Sequence, residues 1–226
     1  MKIIITGSTG MVGHAALLES LDSPTVSEVL VINRKSIETK HPKLKELLIT
    51  DFSEIPSHTD KLTGYDGCFH CMGVSALGID ETDYTKMTFG YSKILFDTLF
   101  KINADMKIIY VSGVGTDSTE KGKYMWARVK GKTENYLLNL GFKDAYAFRP
   151  GLILPEKGIK SKTGWYNTMY SLLRPVFPMI KKMKGTIGSS DLGKAMLSLL
   201  KRPIAIKIIE PIQIKYLAES GFYFNN

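Results

Sequence analysis

The chain opens on a short apolar run, Lys2–Thr6, that stops at Gly7. A run of this length bounded by a turn residue predicts a buried strand. Across Met11–Leu21, Val12, Ala15, Ala16 and Leu18 recur at helical spacing. Further apolar runs predict strands at Glu28–Ile32, Leu47–Ile49, Tyr65–Met72 and Met106–Ser112. Asp80–Lys101 between the last two reads as one long helix. Trp126–Leu140 is the next helix, with Gly141 as its C-terminal stop. Ala145–Phe148 forms a sixth strand, closed by Arg149-Pro150-Gly151. Ser190–Leu200 is a helix with Asp191 in its first turn, Ile204–Ile209 a further strand and Ile212–Ser220 a final helix. Strands alternating with helices imply right-handed crossovers and a parallel sheet. Because the strands are unbroken apolar runs, helices must cover both faces. The expected fold is α/β: a Rossmann-like, doubly wound parallel sheet in a single domain over 1–226, with 152–188 as a small C-terminal cap.

Composition narrows this picture. The chain has 226 residues, 44% hydrophobic and 23% charged, values of a globular domain and not of a disordered, collagenous or coiled-coil chain. At this length a core needs no metal or disulfide. Cys68 and Cys71 give no disulfide framework and point to a reducing compartment. No apolar stretch reaches the roughly 18 residues of a spanning helix. The start, Met1-Lys2-Ile3-Ile4-Ile5, has the look of a signal peptide, but Thr6 to Gly10 break the apolar run. The expectation is a cytosolic protein. Net charge is +8, and seven basic residues between positions 156 and 184 face Glu156 alone. That excess suits either an anionic partner or a solvated basic surface.

The first strand meets the first helix at Thr6-Gly7-Ser8-Thr9-Gly10-Met11-Val12-Gly13. Gly7 would allow a tight exit from the strand. Gly10 would let the backbone approach a pyrophosphate, and Gly13 would let the helix pack close to the strand. The helix N-terminus then offers N–H groups and partial positive charge to phosphates. The corner predicts dinucleotide binding. The second strand ends in Ile32-Asn33-Arg34-Lys35, without the acidic residue that holds a ribose 2′-hydroxyl. Arg34, helped by Lys35, can pair with a 2′-phosphate. NADP is therefore expected over NAD. Asp51-Phe52 after the third strand could flank the adenine, and Gly73 in Cys71-Met72-Gly73 would let the backbone pass near the cofactor ribose.

Together, Thr6 to Gly13, Asp51-Phe52, Cys71-Met72-Gly73, Lys130 and Arg149-Pro150-Gly151 resemble atypical or extended short-chain dehydrogenases/reductases. The likeness is to the NAD(P)-binding, epimerase-like group that includes Tat-interacting oxidoreductases and NmrA-like proteins, and covers about residues 1–200. It implies an oxidoreductase or epimerase-like activity on a small carbonyl or hydroxyl compound, with Pro150 beside the cofactor and 152–188 as a substrate cap. Active members carry a Tyr-x-x-x-Lys pair with a Ser or Thr after the fifth strand. One helical turn puts tyrosine and lysine on one face. The lysine lowers the tyrosine pKa and binds the nicotinamide ribose, while the tyrosine exchanges a proton with substrate. Here Lys130 stands in the lysine position, but four residues earlier is Trp126. Tyr124 reaches the site only if the helix starts near Met125. Ser112 is the remaining hydroxyl, followed by Gly113. The expected catalytic set is Lys130, Ser112 and Tyr124. The alternative is a cofactor-binding sensor or regulator with little chemistry, as in NmrA-like proteins.

Cys68, His70 and Cys71 are clustered like metal ligands, but strand alternation puts Cys71 on the opposite face from the other two, and no second ligand pair follows. No metal is expected. His14, His41 and His58 are isolated and read as surface groups. Trp165–Met183 mixes aromatic and basic residues and could cover a substrate, form a dimer contact or rest on an acidic membrane surface. No recognition motif accompanies the charge, so the expected partner is a small molecule and not nucleic acid.

Overall fold

The computed structural model describes residues 1–157 and 185–220. The apolar run at the start forms β1 (Lys2–Thr6), and the glycine corner leads into α1 (Met11–Asp22). β2 (Glu28–Asn33) and β3 (Leu44–Leu48) follow. A 3₁₀ turn at Phe52–His58 runs into the short α2 (Thr59–Leu62). Then come β4 (Gly67–His70), α3 (Glu81–Thr85), α4 (Tyr91–Ile102), β5 (Lys107–Val111), α5 (Met125–Asn139) and β6 (Ala145–Phe148). β7 (Leu152–Leu154), β8 (Thr186–Gly188), α6 (Ser189–Lys201), β9 (Ile208–Ile209) and α7 (Pro211–Ser220) complete the described chain.

Seven strands form one parallel sheet in the order β3-β2-β1-β4-β5-β6-β9. The order reverses direction between β1 and β4, where a doubly wound sheet opens a ligand crevice at its carboxyl edge. Strand alternation builds two cores. Ile3, Ile5, Val29, Val31, Phe69 and Ile109 pack with α1, α6 and α7 on one face. Ile4, Leu30, Ile32, Cys68, Ile108 and Tyr110 pack with α4 and α5 on the other. The Rossmann-like α/β expectation therefore holds.

Several expected boundaries move. The third strand begins at Leu44 and not Leu47, because this edge strand exposes Lys45 and Glu46 and so breaks the apolar run. The fourth strand shortens to Gly67–His70, although the Cys71 N–H still donates to the Thr6 carbonyl at 3.2 Å. The last strand shortens to Ile208–Ile209. The long helix is capped by Asp80, whose Oδ1 accepts the Thr82 and Asp83 N–H groups at 2.8 and 3.0 Å. It then runs through a π-helical turn at Lys86–Gly90, where the Ser92 hydroxyl donates to the Thr88 carbonyl four residues back.

Of the expected cap, the ends are described. β7 and β8 pair in parallel as a separate two-stranded sheet. Lys157 forms ion pairs with Glu19 at 2.7 Å and Asp22 at 3.0 Å on α1. The aromatic and basic segment Trp165–Met183 lies outside the described residues.

Candidate functional site

The glycine corner is held by contacts that no side chain at two of its positions could survive. Gly7 sits at φ +72°, and a Cβ there would lie 2.7 Å from the carbonyl atoms of Cys71 and the Met72 nitrogen. The end of β4 thus passes directly against the exit of β1. A Cβ on Gly13 would lie 2.3 Å from the Gly7 carbonyl oxygen, so α1 can approach β1 only with glycine there. Gly10 differs: a Cβ would meet only that oxygen, at 3.4 Å. The Gly10 N–H donates back to the Gly7 carbonyl at 2.9 Å, closing the turn.

Gly10 is the N-cap of α1. No side chain caps the helix, and no acidic residue occupies its first turn. Its first N–H groups and positive end are thus left for an anion. Thr9 is exposed, while Met11 and Val12 are partly buried at the helix start, Val12 against the core. Ser8 is fully buried and donates to Asn33 Oδ1 at 3.0 Å. Among the described residues, no acceptor meets the buried Asn33 Nδ2. An open cradle over Gly10, an uncapped helix and an orphaned amide at the strand end fit a dinucleotide whose pyrophosphate lies on the corner. Arg34 and Lys35 are exposed just beyond.

Asp51 and Phe52 sit at the next strand exit. Asp51 Oδ1 accepts the Ser53 N–H at 2.8 Å, and Glu54 Oε1 accepts the Asp51 N–H at 2.8 Å, a capping box over the 3₁₀ turn. Hydrogen bonds from the Ser53 backbone and hydroxyl hold the Asp51 carboxyl below the usual range. Phe52 is buried, its ring 5.8 Å from that of Tyr91. The expectation that this pair flanks adenine is therefore corrected for the Phe52 ring, which is part of the core. Asp51 Oδ2 and the backbone are what this turn can present. At the β4 exit, Cys71 and Met72 are partly buried, and a Cβ on Gly73 would meet open space. Burial pushes the Cys71 thiol up to about 12.

The expected catalytic residues separate. Lys130 on α5 reaches under the end of β5, its Nζ donating to the Ser112 carbonyl at 2.6 Å. Burial lowers its pKa to about 8, with Glu134 opposing the shift. Ser112 does not supply a free hydroxyl. Its Oγ–H donates to Glu134 Oε1, and the Phe148 carbonyl lies 3.0 Å away. Glu134 is fully buried and also receives Arg149, from Nε at 3.0 Å and from Nη2 at 2.5 Å. The substrate-orienting role expected of Ser112 is corrected on that ground: its proton is already committed. Tyr124 lies just outside α5 as its N-cap and is 63% exposed, which meets the condition set for it, a helix beginning at Met125. Trp126 lies across the loop after β5, where a Cβ on Gly115 would be 3.2 Å from its ring. Pro150 is buried, its carbonyl accepting the Val114 N–H at 3.1 Å.

Sequence reasoning missed Asn33 and Glu134. Each left a trace: a polar residue ending an apolar strand, and an acid one helical turn after Lys130. The Cys68–His70–Cys71 cluster resolves into packing. The His70 ring nitrogens lie 2.7 Å from the Thr6 hydroxyl and 2.8 Å from that of Ser92. Burial alone lowers its pKa to about 3. Of the isolated histidines, His14, His41 and His58 are all partly buried and not fully exposed.

A parallel sheet whose first strand turns into its helix through Gly7, Gly10 and Gly13 defines a Rossmann-like α/β protein. Residues 3–124 match the family described as the NAD dependent epimerase/dehydratase family, and the chain belongs to it. Among its relatives is "Protein fmp52, mitochondrial" of Emericella nidulans, 26% identical over 172 residues, 69% of this chain and 68% of that one. Protein HTATIP2 of Rattus norvegicus is 22% identical over 158 residues, 69% of this chain and 64% of that one. The yeast methylglyoxal/isovaleraldehyde reductase Gre2, complexed with NADPH, superposes with a TM-score of 0.69 at 13% identity, covering 92% of this chain and 77% of that one. The last likeness shows a shared Rossmann-like fold. The expectation of a cytosolic protein is overturned, since fungal relatives are named mitochondrial. Two cysteines without a disulfide framework and an interrupted apolar start were too slight a basis for placing the chain in the cytosol.

Proposed function

We propose that the chain is an NADP-dependent oxidoreductase or epimerase-like enzyme acting on a small carbonyl or hydroxyl compound. The observation that carries this reading is Lys130, a lysine drawn out of solvent and held on the Ser112 carbonyl at the carboxyl edge that also carries the glycine corner. When bound, the nicotinamide would supply or accept the hydride. Lys130 would bind its ribose, and Arg34 with Lys35 would neutralise the 2′-phosphate. Tyr124 offers a phenol at the helix start, and Lys130 itself, with a pKa of about 8, can hold or release a proton at Nζ near neutral pH. The mitochondrial names of the fungal relatives support a mitochondrial setting for this chemistry. The test is consumption of NADPH with a panel of aldehydes, ketones and quinones. Turnover that falls at least tenfold in Lys130→Ala supports the reading, and turnover indifferent to that change refutes the role of Lys130.

A second reading has its own observation. Trp126 fills the position one turn before Lys130, and Ser112 is bonded to Glu134, so the hydroxyl pair that active relatives of this type would use is absent. A protein that binds NADP and senses it fits this arrangement. Tight NADP binding without turnover across the panel would favour it.

A further inference from the structure

The segments that follow the middle strands share a composition. Cys71–Ile79 after β4, Ser112–Thr116 after β5, Tyr124–Ala127 at the start of α5 and Pro150–Pro155 after β6 carry no charged residue. Each nevertheless exposes a large apolar or aromatic side chain: Leu77, Val114, Tyr124 and Leu152 are between 46 and 88% exposed. Named bonds draw these segments together. The Val114 N–H donates to the Pro150 carbonyl at 3.1 Å and joins the exits of β5 and β6. A Cβ on Gly113 would stand 3.8 Å from Lys130 Nζ, and one on Gly115 would stand 3.2 Å from the Trp126 ring, so the turn carrying Val114 runs from the lysine to the tryptophan. Arg128 fastens the end of the β4 loop beside the start of α5. Its Nη2 donates to both Glu81 carboxylate oxygens at 2.8 and 2.7 Å, and its Nη1 to the Gly122 and Lys123 carbonyls at 2.6 and 3.0 Å. Charges at the margin are thereby committed, Arg128 to Glu81 and Asp117 to the Gly122 N–H at 2.6 Å and the Thr119 hydroxyl at 2.6 Å. The Lys123 ammonium stands over the Tyr124 ring, 6.0 Å from its centroid.

We propose that this rim selects uncharged, apolar carbonyl compounds, alkyl or aryl aldehydes and ketones, over those that carry a carboxylate or phosphate. This rests on the catalytic reading of Lys130 above and names its substrate class. The physical argument is desolvation. A carboxylate brought among Leu77, Val114 and Leu152 sheds water and meets no charged partner in these segments. An alkyl or aryl group instead gains up to about fourfold in affinity for each methylene it buries. The carboxyl edge of the sheet is divided accordingly: Arg34 and Lys35 stand exposed beyond β2, and apolar side chains stand exposed beyond β4, β5 and β6. In the reduction, the substrate's carbonyl carbon takes a hydride from NADPH and its oxygen takes a proton from Lys130 or Tyr124, which leaves an alcohol and NADP.

Two para-substituted benzaldehydes of near-equal size test the claim at saturating NADPH. The expected kcat/KM for 4-isopropylbenzaldehyde exceeds that for 4-carboxybenzaldehyde at least tenfold. Val114→Lys and Leu152→Lys each place a cation on the rim at an exposed position, and each should lower that preference at least tenfold; one of them suffices if the other does not fold. A preference below tenfold in the unaltered chain, or one that survives the substitutions, overturns the inference and leaves the catalytic reading standing. Turnover of neither aldehyde refutes the catalytic reading. The inference is then decided without turnover, by calorimetric titration of the full chain in NADPH with 4-isopropylbenzamide and 4-carboxybenzamide, which cannot be reduced under these conditions. At least tenfold tighter binding of the first supports it, and comparable or absent binding overturns it.

Discussion

Gly10, the N-cap of α1, and Gly13, in its first turn, sit three residues apart, yet the structure assigns them different penalties. At Gly13 an added methyl would lie 2.3 Å from the Gly7 carbonyl oxygen, 2.6 Å from its carbon and 2.9 Å from the Ser8 nitrogen. All three are backbone atoms, so α1 must move off β1 by roughly 1 Å to reach ordinary contact distance. Overpacking of this kind costs about 1–3 kcal/mol. For a chain of this size that lowers Tm by roughly 2–12 °C. At Gly10 the same methyl meets one oxygen at 3.4 Å, and the backbone is extended at φ −87°. The only folding penalty is that of Ala for Gly at an N-cap, about 0.5–1 kcal/mol. The methyl would nevertheless stand in the cradle proposed for the pyrophosphate. Gly10→Ala should therefore leave the apo Tm within a few degrees of the parent and weaken NADP at least tenfold. Gly13→Ala should lose both stability and binding. Thermal unfolding without ligand and calorimetric titration with NADP separate the two effects. If Gly10→Ala binds NADP as the parent does, the phosphate does not lie on this corner and the reasoning fails.

Four further outcomes follow from named groups. The lysine pKa of about 8 at Lys130 lies below its ordinary value, so an anionic cofactor should bind with constant affinity below pH 8 and lose up to about tenfold per pH unit above it; Lys130→Met should flatten that dependence in the same titrations. Glu134→Gln removes the fully buried carboxylate that pairs with the partly buried Arg149 and should cost about 3 kcal/mol in urea unfolding, whereas Glu210→Gln, at the exposed 3.5 Å end of the same arginine, should cost under about 1 kcal/mol. His70 has a folded pKa of about 3, so the unfolded chain binds its proton first and stability is lost as pH falls from about 6.5 toward 3, at up to about 1.4 kcal/mol per pH unit; His70→Asn should show a shallower acid slope, and an unchanged slope would refute a neutral buried ring. Trp126→Tyr restores a phenol one turn from Lys130 and should raise NADPH-dependent turnover on the carbonyl panel at least tenfold; no gain would count for the sensing protein.

What the sequence displayed and what it hid divide along a physical line. The glycine corner was legible because its constraint is local: three positions within seven residues lack side chains, and steric exclusion acts on the backbone they share. The parallel sheet was legible because both faces are buried, which leaves continuous apolar runs at β1, β2 and β5. β3 was partly hidden, since an edge strand with Lys45 and Glu46 exposed gives only half that signal. Side-chain pairing was not legible. Ser112 meets Glu134 across 22 residues and Asn33 meets Ser8 across 25, and nothing in their spacing shows which hydroxyl faces which acceptor until the strands are placed. Phe52 shows the same limit, because an aromatic after a strand looks alike whether its ring meets a ligand or Tyr91.

The loss of the Tyr-x-x-x-Lys pair changes what the rest of the site is for. Had Lys130 served only to lower a tyrosine pKa, Trp126 would leave it a buried cation with no task, and burial of an idle ammonium is unfavourable. Instead its Nζ is fixed by the Ser112 carbonyl, and Ser112 is fixed by Glu134, which Arg149 locks to the end of β6. This chain of bonds ties the carboxyl ends of two adjacent strands to one helix and leaves the lysine placed without help from a tyrosine. On the proposed reading, the site would hold a cofactor with these parts and would lack the usual pair that moves a substrate proton. Any chemistry must then draw that proton from Tyr124, from Lys130 or from the substrate's own surroundings. A carbonyl reduction that takes its proton from Lys130 needs the ammonium form and would fall above pH 8, in the same direction as binding of the anionic cofactor. Turnover at saturating NADPH removes the binding effect, so an alkaline limb near pH 8 that persists there and is lost in Lys130→Met would identify Lys130 as the proton donor; an alkaline limb unmoved by Lys130→Met would exclude it.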